Sequence, residues 1–145
     1  MKKILSYFLS IIFYFFYGIL LLFFHVLQWI GFTFGKYKGH KFIVDLMNCS
    51  LTYLLYVLGT RIKFINKYNI PKNVPLIVVS NHQSMHDISP ISYYLRKHHP
   101  KFVSKIELGK GIPSVSYNLR HGGSVLIDRK DPRQSLAAIR DFGKY

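Results

Sequence analysis

The chain has 145 residues, of which 20 are lysine or arginine and six are aspartate or glutamate, so its formal net charge is +14. This length is enough for one small domain, or for an anchor and part of a domain. The single cysteine, Cys49, excludes an intrachain disulfide and fits a reducing compartment. The positive charge favours a polyanionic partner, which could be nucleic acid, an anionic lipid surface or a phosphorylated substrate.

The first predicted element is an apolar N-terminal helix. Residues 4–34 are 31 residues without a lysine, arginine, aspartate or glutamate, and about 20 apolar residues suffice to cross a bilayer core. A secretory signal peptide is the alternative, but the run is long and bulky and no small-residue cleavage site follows it. We therefore predict a retained membrane helix. Lys36, Lys38 and Lys41 follow it and favour a cytoplasmic location for the rest of the chain.

A second apolar stretch covers residues 42–58 and contains Asp45, Asn48 and Thr52. This pattern indicates an amphipathic helix that lies on the membrane or packs against the first helix. A core helix of the following domain is the alternative. We predict two parts of the chain: membrane-anchoring helices over residues 1–60, and a domain over residues 61–145.

Residues 61–145 carry 15 basic and five acidic residues, a net charge of +10. Along the same residues, predicted strands alternate with predicted helices. The alternation indicates an α/β fold, with a layered mixed sheet flanked by helices. One further strand would be needed after residue 145, so we expect the sheet to be incomplete at the C-terminus. The predicted strands cover 61–65, 76–80, 102–104 and 124–127, and the helices cover 91–97, 113–121 and a segment that starts at Pro132 behind the cap Asp131.

Residues 81–87 follow a predicted strand and read Asn-His-Gln-Ser-Met-His-Asp. His82 and Asp87 are five positions apart, so a loop that runs into a helix is needed to bring them together. A carboxylate that holds one imidazole tautomer lets the imidazole take a proton from a hydroxyl group. A surface loop with an incidental histidine and a capping aspartate is the alternative. His86 lies four residues after His82, but no third ligand has suitable spacing, and we predict no metal site.

Residues 123–129 read Gly-Ser-Val-Leu-Ile-Asp-Arg. A glycine turn followed by a buried strand places Arg129 at the C-terminal end of that strand, the edge at which open α/β sheets bind ligands. A guanidinium group there can bind a phosphate through two parallel hydrogen bonds. An ordinary strand end, with a solvated Arg129 and a turn-forming Asp128, is the alternative.

Together these two motifs resemble those of the glycerolipid acyltransferase family, and they are closest to the 1-acylglycerol-3-phosphate (lysophosphatidic acid) acyltransferases. Residues 81–87 match the family's Asn-His-x-Ser-x-x-Asp in full, and residues 123–129 match Gly-x-x-Phe-Ile-Asp-Arg except that Leu126 replaces phenylalanine. Residues 105–108 also resemble the segment between the motifs. The family's third motif, Phe-Pro-Glu-Gly-Thr-Arg, does not occur, so the chain resembles a member truncated before it.

The resemblance implies a glycerol-phosphate acyltransferase-like fold and transfer of a fatty acyl group to the free hydroxyl of lysophosphatidic acid, which gives phosphatidic acid for phospholipid biosynthesis. The donor would be acyl-CoA or acyl-carrier protein, with no other cofactor, no metal and no nucleic acid partner. His82 would be the general base and Asp87 its orienting carboxylate. Arg129 would contact the acceptor phosphate, and Gly123 would allow its close approach. Lys105 is a further candidate, for contact with the phosphate or the thioester, and a solvated lysine is the alternative.

The same resemblance implies a location at the membrane, on the cytoplasmic face of a bacterial inner membrane, where membrane lipids surround the site. Two alternatives stay open. One is a related acyltransferase with a different acceptor, such as glycerol-3-phosphate or a lyso-ornithine lipid. The other is an inactive, truncated membrane protein that binds anionic lipids through its positive charge.

Overall fold

The computed structural model describes residues 2–67, 70–71 and 74–142. Two compact units divide the chain: the first unit contains Met1–Tyr17 and Asn48–Pro100, and the second unit contains Gly18–Met47 and Lys101–Tyr145. Short 3₁₀ turns cover Leu55–Leu58, Met85–Asp87 and Ile106–Gly109. The described helices are α1 (Lys2–Leu54), α2 (Ile88–Tyr94), α3 (Val115–His121) and α4 (Pro132–Phe142), and the strands are β1 (Val103–Lys105) and β2 (Val125–Ile127).

Helix α1 is the apolar helix expected from the sequence. Together with the turn that follows it, over Lys3–Leu58, it is long and apolar enough to cross a membrane, as judged by length and composition. Many of its large apolar side chains are exposed, including Phe15, Leu22 and Trp29. The helix is interrupted at Lys36, whose φ of 48° and ψ of −141° are not helical. The second apolar stretch is therefore the second arm of a broken helix.

Within the second unit, the two arms of α1 pack closely on either side of the break. A Cβ atom on Gly39 would overlap the carbonyl oxygen of Gly31, so only glycine allows this approach of the two backbones. Gln28 Nε2 donates to Met47 Sδ at 3.2 Å, and both side chains are buried. Within the second unit, the part of the second apolar stretch that ends at Met47 thus packs against the first arm.

Replacing Gly39 by alanine should destabilise this packing, because the new methyl group needs the space that the Gly31 carbonyl occupies. We expect a loss of about 1–3 kcal/mol in the free energy of unfolding, the usual cost of overpacking. Thermal unfolding in detergent micelles, followed by circular dichroism, measures it. Gly18→Ala is the matched control: a Cβ atom at Gly18 has no neighbour within 4 Å, so the better helix propensity of alanine should make it neutral or stabilising. Equal melting temperatures for the two variants would contradict the close approach.

In the second unit, β1 and β2 form a parallel pair, and α3 lies between them in the chain. The side chain of Leu126 packs against Gly109: a Cβ atom on Gly109 would lie 2.6 Å from Leu126 Cδ1. Helix α4 begins directly after Asp131, as expected. Asp131 Oδ1 accepts hydrogen bonds from the backbone N–H groups of Arg133 and Gln134, at 3.0 and 3.1 Å. The strand register pairs Val103 with Val125, Ser104 with Leu126 and Lys105 with Ile127.

The structure differs from the predicted layered sheet in two places. Among the described residues, β1 and β2 are the only strands, and the predicted strands 61–65 and 76–80 run without a partner strand. Ile77 and Val79 are 96% and 90% exposed. Their β-branched side chains favour an extended backbone, but a strand also needs a neighbour to take its hydrogen bonds. Parts of the predicted loop 66–75, and residues 143–145 of the last predicted helix, lie outside the described residues.

Candidate active site

The first unit brings His82 and Asp87 together, as the first motif requires. His82 Nδ1 lies 3.3 Å from Asp87 Oδ2, and the two side chains are 54% and 35% exposed. Because Nδ1 faces the carboxylate, Nε2 is the nitrogen available to a substrate hydroxyl. The pair is therefore arranged as a base and its orienting group on an accessible part of the surface.

Local hydrogen bonds explain how two residues five positions apart come into contact. Ser84 is the N-cap of the 3₁₀ turn over Met85–Asp87, and its Oγ accepts from the backbone N–H of His86 at 3.2 Å. Asp87 Oδ2 reaches back and accepts from the N–H groups of Ser84 and Gln83, both at 2.9 Å. This is a reciprocal capping box. It folds the loop back on itself, and α2 then begins at Ile88.

The same hydrogen bonds set the charge of the carboxyl group. The backbone N–H groups of Ser84 and then Gln83 stabilise the carboxylate and hold the pKa of Asp87 below its ordinary value, and His82 adds to this effect. Asp87 is therefore ionised throughout the neutral pH range. An ionised carboxylate is the form that can stabilise a positive charge on His82.

The ring of His86 lies against aromatic side chains of α1 in the first unit. Its centroid is 5.0 Å from that of Phe13, 6.0 Å from that of Tyr17 and 6.1 Å from that of Tyr14. The rings of Phe13 and Tyr17 meet it edge to face, a favoured geometry for aromatic pairs. His86 thus contacts α1 while its neighbour Asp87 contacts His82.

The second unit contains the second motif, which starts at a glycine turn. Gly123 has a φ of 82°, a conformation that glycine adopts without strain. Lys101 Nζ donates to the carbonyl oxygen of Gly122 and to the hydroxyl of Tyr37. Burial, and then the charge of Lys41, lower the pKa of Lys101 to about 8. Lys101 therefore fixes this turn, and the sequence had given no indication of that role.

Arg129 and Lys105 lie at the same edge of the two-stranded sheet. Lys105 is the last residue of β1 and pairs with Ile127, the last residue of β2, and Arg129 follows two positions later. Both side chains are exposed, and Arg129 has no ion-pair partner in the part of the chain that the structure describes. Two cationic groups at the carboxyl edge of parallel strands are suited to a phosphate ligand.

Gln134 of α4 holds the turn between β2 and Arg129. Its Oε1 accepts from the backbone N–H of Asp128 at 2.9 Å, and its Nε2 donates to the carbonyl oxygen of Leu126 at 3.2 Å. Asp128 Oδ1 also accepts from the N–H of Lys130 at 2.9 Å. The Asp128 turn suggested by the sequence is thus present, but the contribution of Gln134 depends on tertiary packing and had no local signal.

The described residues contain no group of three or more histidine, cysteine, aspartate or glutamate side chains that could hold a metal ion. His82, which had been considered with His86 as a possible ligand pair, instead faces Asp87. His86 contacts aromatic rings. The contact with Asp87 suits His82 to proton transfer.

Comparisons with known proteins agree with the two motifs. A family model described as Acyltransferase matches residues 61–143. A 1-acyl-sn-glycerol-3-phosphate acyltransferase of Chlamydomonas reinhardtii is 30% identical to this chain over 111 residues, which are 74% of the chain and 31% of that protein. The chain therefore spans about a third of the length of this relative. No solved structure matches it.

Proposed function

Because the chain belongs to the acyltransferase family, we propose that it moves a fatty acyl group from a thioester donor to the free hydroxyl of 1-acylglycerol-3-phosphate. The donor is acyl-CoA or acyl-carrier protein, and the product is phosphatidic acid for phospholipid biosynthesis. The observation that carries the proposal is the contact between His82 Nδ1 and Asp87 Oδ2 within a motif that resembles the family's. The name of the algal relative supports the choice of acceptor.

In the proposed reaction, His82 Nε2 takes the proton of the acceptor hydroxyl as its oxygen attacks the carbonyl carbon of the thioester. The imidazolium that forms is stabilised by the ionised Asp87. The tetrahedral intermediate collapses with cleavage of the carbon–sulfur bond, and the thiolate that leaves takes the proton from His82. The new ester and the free thiol are released, and His82 returns to its neutral form. General-base assistance of this kind contributes about a hundred- to ten-thousandfold in rate.

The acceptor's phosphate is assigned to the second motif. Arg129 offers two parallel N–H donors to a phosphate, and Lys105, at the same edge of the sheet, adds a second positive charge. Gly123 forms the turn that leads into β2, with a φ of 82°. The net charge of +10 over residues 61–145 attracts both the acceptor and the phosphates of CoA.

A membrane location fits this substrate. The acceptor is an amphipathic lipid, and α1 exposes large apolar side chains over most of its length. We assign the domain to the cytoplasmic side of the membrane, because more lysines follow the apolar run than precede it. The choice of a bacterial inner membrane is what the family resemblance implies. Anionic headgroups would add to the attraction through the basic residues.

Acceptor choice is tested by supplying lysophosphatidic acid, glycerol-3-phosphate and lyso-ornithine lipid in parallel, with the same labelled acyl-CoA. We expect the protein, at its natural length in mixed micelles, to prefer lysophosphatidic acid by at least about tenfold in kcat/KM, because the other two lack either its acyl chain or its phosphate. Thin-layer separation of the labelled products gives the three rates. A preference for either of the other acceptors would replace the proposed substrate by the one preferred.

A further inference from the structure

His86 connects the first motif to α1, and neither the motif nor the proposed chemistry requires a histidine there. Its ring touches three aromatic rings, and one of them, Phe13, is completely buried. The rings of Phe13 and Tyr17 meet it at interplanar angles of 87° and 85°, and Tyr14 completes the contact at 46°. All four residues belong to the first unit. The ring of His86 thus attaches the 3₁₀ turn to α1.

We propose that His86 is a positioning residue that fixes the His82–Asp87 pair beside α1. The inference rests on the acyl transfer proposed above. The next residue along the backbone is Asp87, and the N–H of His86 itself is bound by the cap, Ser84 Oγ. A displacement of His86 is therefore passed to the carboxylate across a single peptide unit.

The capping box alone does not provide this positioning. Its hydrogen bonds join Gln83 and Ser84 to Asp87, and none of these bonds reaches α1. The aromatic contact makes the attachment to α1. Since α1 is the element with the exposed apolar side chains, the contact also sets the depth of His82 relative to a lipid layer, where the acceptor hydroxyl must reach it.

Activity measurements on two substitutions test this role. His86→Ala removes the ring, and kcat should fall about ten- to hundredfold, as expected when a catalytic pair is displaced by a fraction of an ångström to an ångström. The KM values for acyl donor and acceptor should stay within about twofold, because neither substrate contacts His86 in the proposed reaction. His86→Phe keeps an aromatic ring and should restore most of kcat. Full kcat in His86→Ala, or no recovery in His86→Phe, would overturn the inference.

A double-mutant comparison separates positioning from general loss of apolar surface. Tyr17→Ala removes one of the rings that His86 contacts, so its effect on kcat should be less than additive with that of His86→Ala. Phe15→Ala is the matched control on the same helix, since Phe15 is 63% exposed and its ring contact is with Phe16. Its effect should be small and additive. Equal coupling of His86 to Tyr17 and to Phe15 would contradict the aromatic contact.

Hydrogen exchange gives a readout that does not depend on acyl transfer. The backbone N–H groups of Gln83 and Ser84 are bound by Asp87 Oδ2, so they should exchange faster in His86→Ala and at the original rate in His86→Phe. If the protein transfers no acyl group but this pattern is seen, the positioning stands and the proposed function fails. Unchanged exchange in His86→Ala overturns the positioning, whether or not the protein is active.

Discussion

Replacing His82 by alanine should reduce acyl transfer to lysophosphatidic acid by about a hundred- to ten-thousandfold in kcat, because the acceptor hydroxyl loses its general base. His82 is exposed, so the melting temperature of the variant should not change. Release of free CoA thiol, followed continuously with a thiol reagent, measures the rate. His98→Ala, a histidine substitution in the same unit but outside the motif, is the matched control and should keep full activity.

The same substitution separates an enzyme from a lipid-binding protein. Binding to vesicles that contain anionic lipid depends on net charge and apolar surface, and His82→Ala changes neither to a large extent. We expect unchanged co-sedimentation with such vesicles. A His82→Ala variant that transfers acyl groups as fast as the parent would exclude His82 as the base. Vesicle binding without any acyl transfer by the parent protein would favour the inactive, lipid-binding alternative.

Asp87→Asn tests how much the negative charge of Asp87 contributes to kcat. The asparagine oxygen can still accept the N–H groups of Gln83 and Ser84, so the capping box survives, but the negative charge that faces His82 is lost. An intermediate fall in kcat, smaller than that of His82→Ala, would show that the charge contributes beyond the shape of the loop.

The local parts of this molecule could be predicted from the sequence. The His82–Asp87 contact is built from hydrogen bonds among neighbours in the chain, with Ser84 and Asp87 three positions apart as a capping box requires. The start of α4 behind Asp131 depends in the same way on adjacent residues. Hydrogen bonds of this kind join residues close in the chain, so their spacing indicates the motif and the cap without knowledge of the fold.

Features that depend on distant residues could not be predicted in this way. The break of α1 lies at a lysine, a residue type that rarely adopts positive φ. The close approach of Gly31 and Gly39 depends on how the two arms pack. The apolar run around Ile77 has the composition of a strand, yet pairing depends on a neighbour that no local pattern specifies. The contact of His86 with Phe13 joins residues far apart in the chain and has no sequence signature.

Replacing Arg129 by alanine should weaken use of the phosphorylated acceptor, with a fall of about ten- to hundredfold in kcat/KM for lysophosphatidic acid. This is the loss expected when one charged, doubly hydrogen-bonded contact is removed. The side chain is exposed and lies after β2, so folding should be unaffected. Arg129→Lys keeps the charge but not the paired donors and should recover only part of the loss. Initial rates at varied acceptor concentration measure both variants.

Two comparisons decide whether Arg129 acts on the phosphate or only through its charge. Lys130→Ala removes the adjacent exposed cation and should change kcat/KM by less than about twofold, since a single surface charge contributes little at physiological salt. A 1-acylglycerol acceptor without the phosphate should react slowly with the parent protein, and Arg129→Ala should not slow it further. If Arg129→Ala impairs both acceptors equally, the guanidinium does not bind the acceptor phosphate, and the second motif supports the turn or the acyl donor instead.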